Sequence, residues 1–582
     1  MPTVYINQQT VTVEAGTTIL EAARSAEIRI PTLCHHPDLP PTAACGICVV
    51  RIEGAGRMLR ACATPVRDGM RITTHDPDIV QVRRTVLEAI LSNHPNECLT
   101  CRRNGTCELQ KLAADFGIDR EHLPSLVQPL PKDTSTGSID LDPRKCVNCG
   151  RCLDVCQRVQ NVWALCSLNR GLPTRVAPAG DISLADSPCI RCGQCSAHCP
   201  VGAITEHDES DAVWEALNDP ERICIAQIAP AVQVSMGEAF GYPPGTNLGG
   251  QIVAALRRIG FRHVFDTTFG ADVTIMEEAS EFALRLREHP ERLPLITTCC
   301  PSWVDFMEKF HADMIPHFSS CKSPHAIVGT LTKTWFAERE GIDPEKIFMV
   351  SIMPCTSKKY EIIRDRSMYA SGLQDVDVSI TSRELVRIIR QSGVQFKDLA
   401  FLDEPDDPLG SHSGAGTIFA ATGGVMEAAL RTAHHLLTDE DLADPDLHPI
   451  RGLDGIKEMT TTIAGTEIRV AVAHGCGHVE TVLQRIREAR AAGQELPYHF
   501  VEVMACPGGC IGGGGQAWMV SNDRRRARSE GLYKADRLNE VRASHRNPGV
   551  ARLYAEFLGQ PLGETAHRLL HTSYQDRPHY QR

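Results

Sequence analysis

Cysteine is the residue type whose number and spacing in this chain most directly predict chemistry. The 582 residues include 24 cysteines, and the chain does not open with a basic stretch followed by an apolar segment. We therefore expect metal or redox chemistry rather than structural disulfides. Two stretches, "CVNCGRCLDVC" and "CIRCGQCSAHCP", share the spacing C-x2-C-x2-C-x3-C. Four thiolates spaced in this way suit an iron–sulfur cluster far better than zinc.

The repeated spacing resembles the bacterial two-cluster ferredoxins, in which the fourth cysteine of each run ligates the other cluster. The resemblance implies two 4Fe–4S centres with crossed ligand sets. The first set is Cys146, Cys149, Cys152 and Cys199, and the second is Cys189, Cys192, Cys195 and Cys156. Lys145 and Arg191 lie beside the two runs, where they either tune the cluster potentials or remain solvated charges.

Nearer the N-terminus, four cysteines follow the spacing C-x10-C-x2-C-x13-C: Cys34, Cys45, Cys48 and Cys62. The residues before them alternate like a hairpin, from Val4 to Val13, and then follow a helical period through Leu20 and Ala23. A small sheet with one helix and a cysteine-bearing loop is similar to a plant-type 2Fe–2S ferredoxin. Zinc is the alternative, but Gly46 suits close approach of the backbone to a sulfide and favours iron–sulfur.

The next group combines one histidine with three cysteines, His94, Cys98, Cys101 and Cys107, in "HPNECLTCRRNGTC". Taken alone, these ligands would favour zinc in a tetrahedral site. However, H-x3-C-x2-C-x5-C directly after a ferredoxin-like domain resembles a 4Fe–4S module of complex I and of iron-only hydrogenases. A histidine ligand leaves such a cluster less negatively charged and should raise its potential.

Three further motifs carry cysteines in the second half of the chain: "TTCCPSW", "MPCTSKKYE" and "VEVMACPGGCIGGGG". Adjacent side chains leave an extended backbone on opposite sides, so Cys299 and Cys300 should not ligate one metal together. Taken alone, the pair would be buried small residues or a vicinal disulfide. Cys300, Cys355, Cys506 and Cys510 nevertheless supply four thiolates for one more cube, which leaves Cys299 over.

These three motifs together closely resemble those of the iron-only (FeFe) hydrogenases, and the likeness extends over the whole chain to the clostridial modular enzymes with four accessory clusters. The resemblance implies an H-cluster, a 4Fe–4S cube joined by a thiolate to a two-iron subsite with CO, cyanide and an azadithiolate. It places Cys300, Cys355, Cys506 and Cys510 on the cube, with Cys510 as the bridge.

The same resemblance implies roles for residues that do not ligate the cube. Lys358 would hold a cyanide ligand, while Met353, Met504 and Ser323 would lie against the two-iron subsite. Protons would move between the subsite and solvent along Cys299, Glu278, Ser319 and Glu281. Because Glu278 and Glu281 are three residues apart, they should share one face of a helix.

The strands and helices that would position these residues belong to a multidomain α+β chain. We expect ferredoxin-like iron–sulfur domains followed by a two-lobed α/β H-cluster domain. Apolar strands followed by helices begin after residue 210 and are typical of buried parallel sheets. We expect five domains. They are a 2Fe–2S domain at 1–80, a one-histidine module at 81–125, a two-cluster domain at 126–209, the H-cluster domain at 210–524 and a small-subunit-like segment at 525–582.

Composition limits the partners. A net charge of −12 argues against nucleic acid, and the absence of an apolar run of spanning length argues against a membrane, so we expect a cytoplasmic protein. The expected cofactors are one 2Fe–2S centre, three accessory 4Fe–4S centres and the H-cluster. The expected partners are H2 and protons, hydrogenase maturation proteins, and either ferredoxin or a flavoprotein NAD(P)-binding subunit. Arg102 and Arg103 offer a basic patch for a ferredoxin.

Several details depart from the family pattern or point elsewhere. His325 stands where glutamine is common, Gly512 where asparagine is common and Ala517 where proline is common. The basic run "RRRAR" at 524–528 is expected to be a solvated patch. The remaining cysteines without ligand spacing are expected to be buried small residues: Cys166, Cys224, Cys321 and Cys476. The alternatives are an electron-relay subunit like that of complex I, and a hydrogenase-like assembly or sensory protein.

Overall fold

The structure is a computed structural model that describes residues 1–120, 122–401, 403–518 and 520–580. It mixes helices and strands, with small sheets before residue 210 and two four-stranded sheets after it. Within the described residues, we find no helix that is both long enough and apolar enough to cross a membrane.

The first 80 residues form a five-stranded sheet with one helix against it. Its elements are β1 (Thr3–Ile6), β2 (Gln9–Thr12), α1 (Ile19–Ser25), β3 (Val49–Ile52), β4 (Leu59–Arg60) and β5 (Arg71–Thr73). The strand order is β2-β1-β5-β3-β4, and the predicted hairpin and helix are confirmed. Thr18 and Glu21 exchange hydrogen bonds in a capping box that fixes where α1 begins.

The next 130 or so residues contain short elements, because most of this segment consists of cysteine-bearing loops. The elements are α2 (Pro77–Ser92), α3 (Glu108–Asp115), β6 (Ile139–Leu141), α4 (Arg151–Asp154), β7 (Cys166–Leu168), β8 (Arg175–Ala177), α5 (Gln194–His198) and β9 (Ile204–Glu206). Gly150 and Gly193 start α4 and α5 with left-handed backbones, φ 81° and 69°. The internal repeat of the sequence is therefore repeated in the backbone.

Two sheets form the second half of the chain. Their strands are β10 (Ile223–Ile228), β11 (His263–Asp266), β12 (Leu295–Ile296), β13 (Ile347–Met353), β14 (Val378–Thr381), β15 (Ile456–Ile463), β16 (Thr466–His474) and β17 (Phe500–Met504). One sheet has the order β11-β10-β13-β14 and is parallel throughout. Its strands are buried along nearly their whole length, as their continuous apolar sequences predict.

The other sheet has the order β12-β17-β16-β15, with β15 antiparallel at its edge. Helices surround both sheets: α6 (Ser210–Asn218), α7 (Pro230–Gln233), α8 (Gly249–Ile259), α9 (Thr267–Glu288), α10 (Pro301–Phe310), α11 (Pro324–Leu331), α12 (Ala337–Glu340), α13 (Lys358–Glu361), α14 (Ser382–Gln391), α15 (Gly414–Ile418), α16 (Gly424–Thr438), α17 (Cys476–Ala491), α18 (Asn522–Leu538), α19 (Pro548–Leu553) and α20 (Glu564–Leu570).

The carboxyl ends of three strands deliver the late cysteine motifs. β12 ends three residues before Cys299, β13 ends two residues before Cys355 and β17 ends two residues before Cys506. Because β12 and β17 are parallel neighbours, their motifs leave the sheet at the same edge. Ligand sites in parallel sheets form at such edges.

The C-terminal segment is tied to the rest of the chain by buried ion pairs, and the expected solvated patch at 524–528 is wrong for Arg525 and Arg528, although Arg526 is exposed. Arg525 donates to Asp38 Oδ2 at 2.8 Å, and Arg528 donates to Glu238 Oε1 at 2.7 Å. Both arginine side chains are almost fully buried. A run of charged residues predicts exposure only when water surrounds the charges. Here carboxylates from distant parts of the chain bind them instead.

Candidate active site

A buried cavity of about 80 Å³ lies where the three cysteine motifs meet. Its walls are mostly apolar, and five free thiols line it: Cys299, Cys300, Cys355, Cys506 and Cys510. The structure therefore brings together residues that are more than 200 positions apart in the sequence. The spacing of these cysteines does not by itself predict that they share a site, and only the family resemblance does so.

Cys299 and Cys300 line the same cavity, which differs from the expectation for an extended chain. The strand β12 has already ended at Ile296, and Cys300 is the residue that caps α10. Between a strand and a helix the strict alternation of side chains is lost. One thiol of the pair is thus available as a ligand while its neighbour faces the same space.

Burial controls the ionisation of these thiols. It raises the pKa of Cys355 and Cys510 to about 12, and it raises that of Cys300 and Cys506 as well. A thiol in such surroundings stays protonated unless a metal binds it. Four such thiols around one cavity are a donor set that fits a 4Fe–4S cube.

Lys358 supplies the positive charge at this cavity. Its Nζ atom lies 2.6 Å from Glu361 Oε2 and 3.2 Å from the carbonyl oxygen of Cys299. Although burial lowers the pKa of Lys358, the Glu361 carboxylate outweighs it and raises the pKa above its ordinary value. The ammonium is therefore charged at all ordinary pH values and is available to an anionic ligand.

His325, one of the departures from the family pattern, shares that carboxylate. Its Nε2 atom lies 2.6 Å from Glu361 Oε2. Burial, aided by the Lys358 charge, lowers the pKa of His325 to about 4, whereas Lys358 and His325 overcome burial to hold that of Glu361 at about 2. A neutral imidazole beside an ionised carboxylate must carry its proton on Nε2. Glu361 is the residue that sequence reasoning missed, although it is the last letter of "MPCTSKKYE".

The other side chains expected at the subsite are also near the cavity. Met353 and Met504 line it directly. Ser323 immediately precedes Pro324 and His325, which line it, and among the described residues its buried hydroxyl has no hydrogen-bond partner. A buried unpaired hydroxyl is costly, and a polar atom of a bound group would satisfy it.

Glu278 and Glu281 both lie on α9 and are both buried. Burial is the main reason that the pKa of Glu278 rises to about 8, with the neighbouring Glu281 charge adding to it and the Ser319 hydroxyl opposing it. Neither oxygen of Glu278 makes a hydrogen bond of normal geometry within the described residues. Burial is the main reason that the pKa of Cys299 is raised, and the negative charge of Glu278 adds to it. Glu278 therefore lies near both Cys299 and Ser319.

Glu281 lies at the outer end of this set, where its Oε1 atom accepts a hydrogen bond from Arg285 at 2.6 Å. Two residues not named by the sequence hold Ser319 in place. Tyr574 donates to the Ser319 carbonyl at 2.9 Å, and Thr298 donates to it at 3.1 Å. The C-terminal segment therefore contacts the backbone at Ser319.

The N-terminal cysteine group is assembled in the structure. Cys48 and Cys62 place their sulfur atoms 3.4 Å apart, and the backbone N–H of Cys45 donates to Cys34 Sγ at 3.5 Å. Hydrogen bonds from Cys45 and Cys62 are the main reason that the pKa of Cys34 is far below its usual range. These four thiols are close enough to share one centre.

The one-histidine group lines a cavity of about 20 Å³ with all four of its members: His94, Cys98, Cys101 and Cys107. Burial lowers the pKa of His94 to about 4, so its imidazole is neutral, which is the form that binds metals. Lys145 lines the same cavity and lies 3.5 Å from Glu97.

The structure brings together the first crossed set of the two ferredoxin-like runs. A cavity of about 20 Å³ is lined by three cysteines of the first run and the last of the second: Cys146, Cys149, Cys152 and Cys199. In the other set, burial raises the pKa of all four thiols, and the charges of neighbouring thiols add to it at all but Cys189: Cys189, Cys192, Cys195 and Cys156.

Close contacts join the four accessory groups to one another and to the large cavity. Thr42, beside the N-terminal group, donates to the carbonyl oxygen of Cys149 at 2.9 Å. A Cβ atom on Gly202 would lie 2.6 Å from Cys101 Sγ, and one on Gly514 would lie 2.2 Å from the Cys192 carbonyl oxygen. The N-terminal group and the one-histidine group therefore both reach the crossed cysteine set that includes Cys149 and Cys199, and the set that includes Cys192 lies close to the large cavity.

Two predictions about charged residues and spare cysteines are wrong, and one of the two alternatives for Arg191 is excluded. Arg103 is buried, donates to the Cys199 carbonyl at 2.6 Å and does not form a surface patch with Arg102. Arg191 is not a solvated charge, since it is buried and lies 2.6 Å from Asp305. Cys166 is only partly buried, whereas the other three spare cysteines are buried as expected.

The departure at Gly512 has a steric reason. A Cβ atom there would lie 2.0 Å from the Pro507 carbonyl oxygen, so this backbone does not admit a larger side chain. Ala517 lines a separate cleft and does not bear on the cysteine cavity.

Profiles of known families match along the chain. The profile described as iron only hydrogenase large subunit, C-terminal domain, matches residues 222–514, and the iron hydrogenase small subunit profile matches residues 522–577. A 2Fe-2S iron-sulfur cluster binding domain matches residues 1–77, an NADH-ubiquinone oxidoreductase-G iron-sulfur binding region matches residues 83–122 and a 4Fe-4S binding domain matches residues 186–205.

Individual proteins match over nearly the whole chain. The NADP-reducing hydrogenase subunit HndD of Solidesulfovibrio fructosivorans is 44% identical, over 99% of both chains. Iron hydrogenase 1 of Clostridium pasteurianum is 38% identical, over 99% of this chain and 100% of its own length. A solved structure of an FeFe-hydrogenase HydA1 variant from Chlamydomonas reinhardtii is 40% identical with a TM-score of 0.55, covering 63% of this chain and 99% of that one.

Proposed function

Because this chain belongs to the iron-only hydrogenase family, we propose roles for its residues in the oxidation of H2 and the reduction of protons. It is an iron hydrogenase whose iron–sulfur domains relay electrons to and from an H-cluster. The observation that carries the residue assignment is the single cavity lined by five thiols and Lys358.

The H-cluster would be held by four thiolates at that cavity: Cys300, Cys355, Cys506 and Cys510. When bound, the group supplies the site at which H2 is split or formed. Lys358, kept charged by Glu361, would hold an anionic ligand of the group as a point charge. His325 would act as a positioning residue, since its hydrogen bond restrains the same Glu361 carboxylate. The apolar walls, including Met353 and Met504, would exclude water.

We propose that protons enter and leave the cavity through Cys299. The thiol lines the cavity, and its raised pKa keeps it neutral, so that it can donate a proton and be reprotonated. Glu278, with a pKa of about 8, is suited to exchange protons with it near neutral pH. Ser319 and then Glu281, paired with Arg285, would continue the route to the surface.

Electrons would reach the cavity through the second 4Fe–4S site, which abuts it at Gly514. We propose that the relay branches rather than forming one line, because the N-terminal group and the one-histidine group both contact the first 4Fe–4S site. Proton reduction at pH 7 requires about −410 mV, taking about 59 mV per pH unit. Ferredoxin-type clusters reach about −400 mV, so the relay can run in either direction.

The expected domain boundaries and the two lobes of the H-cluster domain remain part of the proposal. Each four-stranded sheet would form the core of one lobe, and the cavity would lie between them. The segment 525–582 would cover the proton route through Tyr574. The cytoplasmic location also remains a proposal.

We expect the chain to carry one 2Fe–2S centre, three accessory 4Fe–4S centres and the H-cluster cube. Protein produced in a host without hydrogenase maturation proteins should show the spectroscopic signals of these centres but no turnover. Supplying the two-iron subsite should restore activity. Electron paramagnetic resonance with metal analysis tests this expectation. Zinc at the His94 group, or activity without maturation, would contradict it.

For the electron partner we favour a flavoprotein NAD(P)-binding subunit over a free ferredoxin, since the relative from Solidesulfovibrio fructosivorans is named as a subunit of an NADP-reducing hydrogenase. A cleft of about 870 Å³ beside Cys107, lined by more basic than acidic side chains, is the docking surface that we propose for such a partner. The basic residues lining this cleft are Arg24, Arg29, Arg102, Lys111, Arg383, Arg387, Arg390 and Arg524. The cleft replaces the patch expected at Arg103.

Purification of the enzyme from its native cell should recover a flavin-containing complex that reduces NAD(P) with H2. The isolated chain should not reduce NAD(P) by itself. If a lone chain is recovered instead, and its reduction of ferredoxin is fast at low salt and slows as salt is added, the free ferredoxin is the partner.

The alternative classes predict different outcomes. An electron-relay subunit would share only the first 210 residues, whereas the two hydrogenase profiles cover residues 222–514 and 522–577. A sensory or assembly protein would lack Cys299 or the residues behind it, and here Cys299, Glu278 and Lys358 surround one site. Measured H2 turnover by the matured enzyme separates catalysis from both alternatives.

A further inference from the structure

Three charged side chains meet beside Cys189, where the second ferredoxin-like run contacts the hydrogenase domain. The Arg191 Nη1 atom lies 2.6 Å from Asp305 Oδ2, and the Lys309 Nζ atom lies 3.4 Å from the same oxygen. All three side chains are almost fully buried. We propose that Arg191, Lys309 and Asp305 form a charge network that sets the reduction potential of the second 4Fe–4S centre, with the aspartate offsetting the two cations. This inference rests on the proposed role of Cys189 as a ligand of that centre.

Both cationic residues touch the ligand segment itself. The backbone N–H of Arg191 donates to Cys189 Sγ at 3.4 Å, and the Lys309 ammonium donates to the Cys189 carbonyl oxygen at 2.7 Å. Burial is the main reason that the pKa of Cys189 is raised. The Arg191 N–H and the two cationic charges oppose this rise in pKa, whereas the Asp305 charge adds to it. Because net charge and hydrogen bonds to sulfur set the potential of a cluster, the same groups should act on a cluster bound by this thiol.

The internal repeat of the sequence shows what Arg191 adds. Arg191 and Asn148 occupy the same position in the two C-x2-C loops, and both have left-handed backbones, with φ of 57° and 49°. Asparagine tolerates this conformation better than most residues do. The second run therefore keeps an arginine where the backbone favours an asparagine. The arginine contributes a buried positive charge, held over the ring of Tyr360 at 4.1 Å from its centroid.

The network is built on elements that also carry the cysteine cavity. Asp305 and Lys309 are one turn apart on α10, whose N-terminal cap is Cys300. The carbonyl oxygen of Arg191 accepts a hydrogen bond of 2.7 Å from Thr356, within the motif "MPCTSKKYE". Electrons that move between the second 4Fe–4S centre and the cavity would therefore pass close to these charges. Charges act strongly on one another in such a buried, weakly polarisable surrounding.

A neighbouring carboxylate on the same helix provides a matched control. Glu308 is as deeply buried as Asp305, but it pairs with Arg364 at 3.1 Å. The C-terminal segment links the two carboxylates, since Arg577 Nη1 lies 3.3 Å from Asp305 Oδ1 and 3.6 Å from Glu308 Oε2. Removing the charge of Glu308 should therefore disturb the same helix and the same C-terminal contact without removing the partner of Arg191.

Redox titration of the cluster-loaded full chain, followed by electron paramagnetic resonance, tests the proposal. Asp305→Asn should raise the potential of one 4Fe–4S centre, because the cations lose the carboxylate that offsets them. Arg191→Gln and Lys309→Gln should lower the potential of the same centre. Each shift should be about tenfold in the equilibrium constant of one-electron reduction, which is about 59 mV. Glu308→Gln should leave every centre at its wild-type potential. A general loosening of the fold would not move one potential in opposite directions.

Cys189→Ser identifies the signal that belongs to this centre, because it changes a ligand. If Cys189→Ser leaves the iron content and every signal unchanged, the proposed ligand set is incorrect. If it alters one signal, and that signal keeps its wild-type potential in both Asp305→Asn and Arg191→Gln, the charge network does not set the potential. Shifts in the same direction in these two variants would also overturn the proposal.

The potential of this centre should also bias the direction of turnover. A higher potential draws electrons out of the cavity, so the ratio of H2 oxidation to H2 production should rise in Asp305→Asn and fall in Arg191→Gln. Glu308→Gln should keep the wild-type ratio. A ratio that does not follow this order would overturn the link between the network and catalysis.

Discussion

Replacing Cys299 with serine is expected to lower H2 turnover by about 100- to 10,000-fold while leaving the iron content of the enzyme nearly unchanged. Cys299 lines the cysteine cavity but is the one thiol there that the cube does not need as a ligand. A serine hydroxyl is a much weaker acid than a thiol, and the C–O bond of serine is shorter than the C–S bond of cysteine. It would therefore pass protons poorly without disturbing cluster assembly.

Three variants measured side by side make the result decisive. Cys300→Ser should lose iron from the cube, because Cys300 is assigned as a ligand at the same cavity. Cys224→Ser applies the same chemical change to a buried thiol in β10 and should retain both iron and turnover. If Cys299→Ser and Cys300→Ser lose iron equally, the assignment of ligand and proton carrier is incorrect.

Much of the site could be predicted from sequence because cysteine spacing reports ligand geometry. A run such as C-x2-C-x2-C-x3-C already places three thiolates on one short loop, so the local sequence carries most of the constraint. The sequence also predicts the hairpin before Cys34 and the buried parallel strand that ends at Met353. Apolar residues alternate in the hairpin and run continuously in the strand. Chemistry that depends on residues close in sequence is the part that a sequence discloses.

The features that escaped prediction depend on partners far away in the chain. Arg525 and Arg528 belong to a basic run that looks solvated, yet they lie buried against Asp38 and Glu238. The hydrogen bond between His325 and Glu361, 36 residues apart, could likewise not be predicted, although each residue stands in or beside a recognised motif. Local charge and spacing do not reveal which side chain from another segment arrives to neutralise a group.

Glu278 is the second residue at which a single change should nearly abolish turnover. Glu278→Gln keeps the size of the side chain but removes its ability to take up and release a proton, so we expect a loss of about 100- to 10,000-fold. The matched control is Glu277→Gln. Glu277 is the neighbouring, equally buried carboxylate on α9, but it faces the C-terminal segment through Leu562 N at 2.9 Å and His571 Nε2 at 3.1 Å.

The pH dependence of the two directions provides the sharper test of Glu278. With its pKa raised to about 8, the side chain is mostly protonated below that pH and mostly ionised above it. Proton delivery to the cavity needs the protonated acid, so H2 production should fall as pH rises through about 8. Proton removal needs the carboxylate, so H2 oxidation should rise over the same range.

The H⁺/H2 potential also changes with pH, and it shifts the two rates in the same directions as the titration of Glu278. The measurement must therefore compare variants. Glu277→Gln should show the wild-type profile in both directions, because it retains Glu278. The residual activity of Glu278→Gln should follow only the shallow background set by the H⁺/H2 potential, with no inflection near pH 8. If the inflection persists in Glu278→Gln, another group carries the proton behind Cys299, and Ser319 would then have to receive it by a different route.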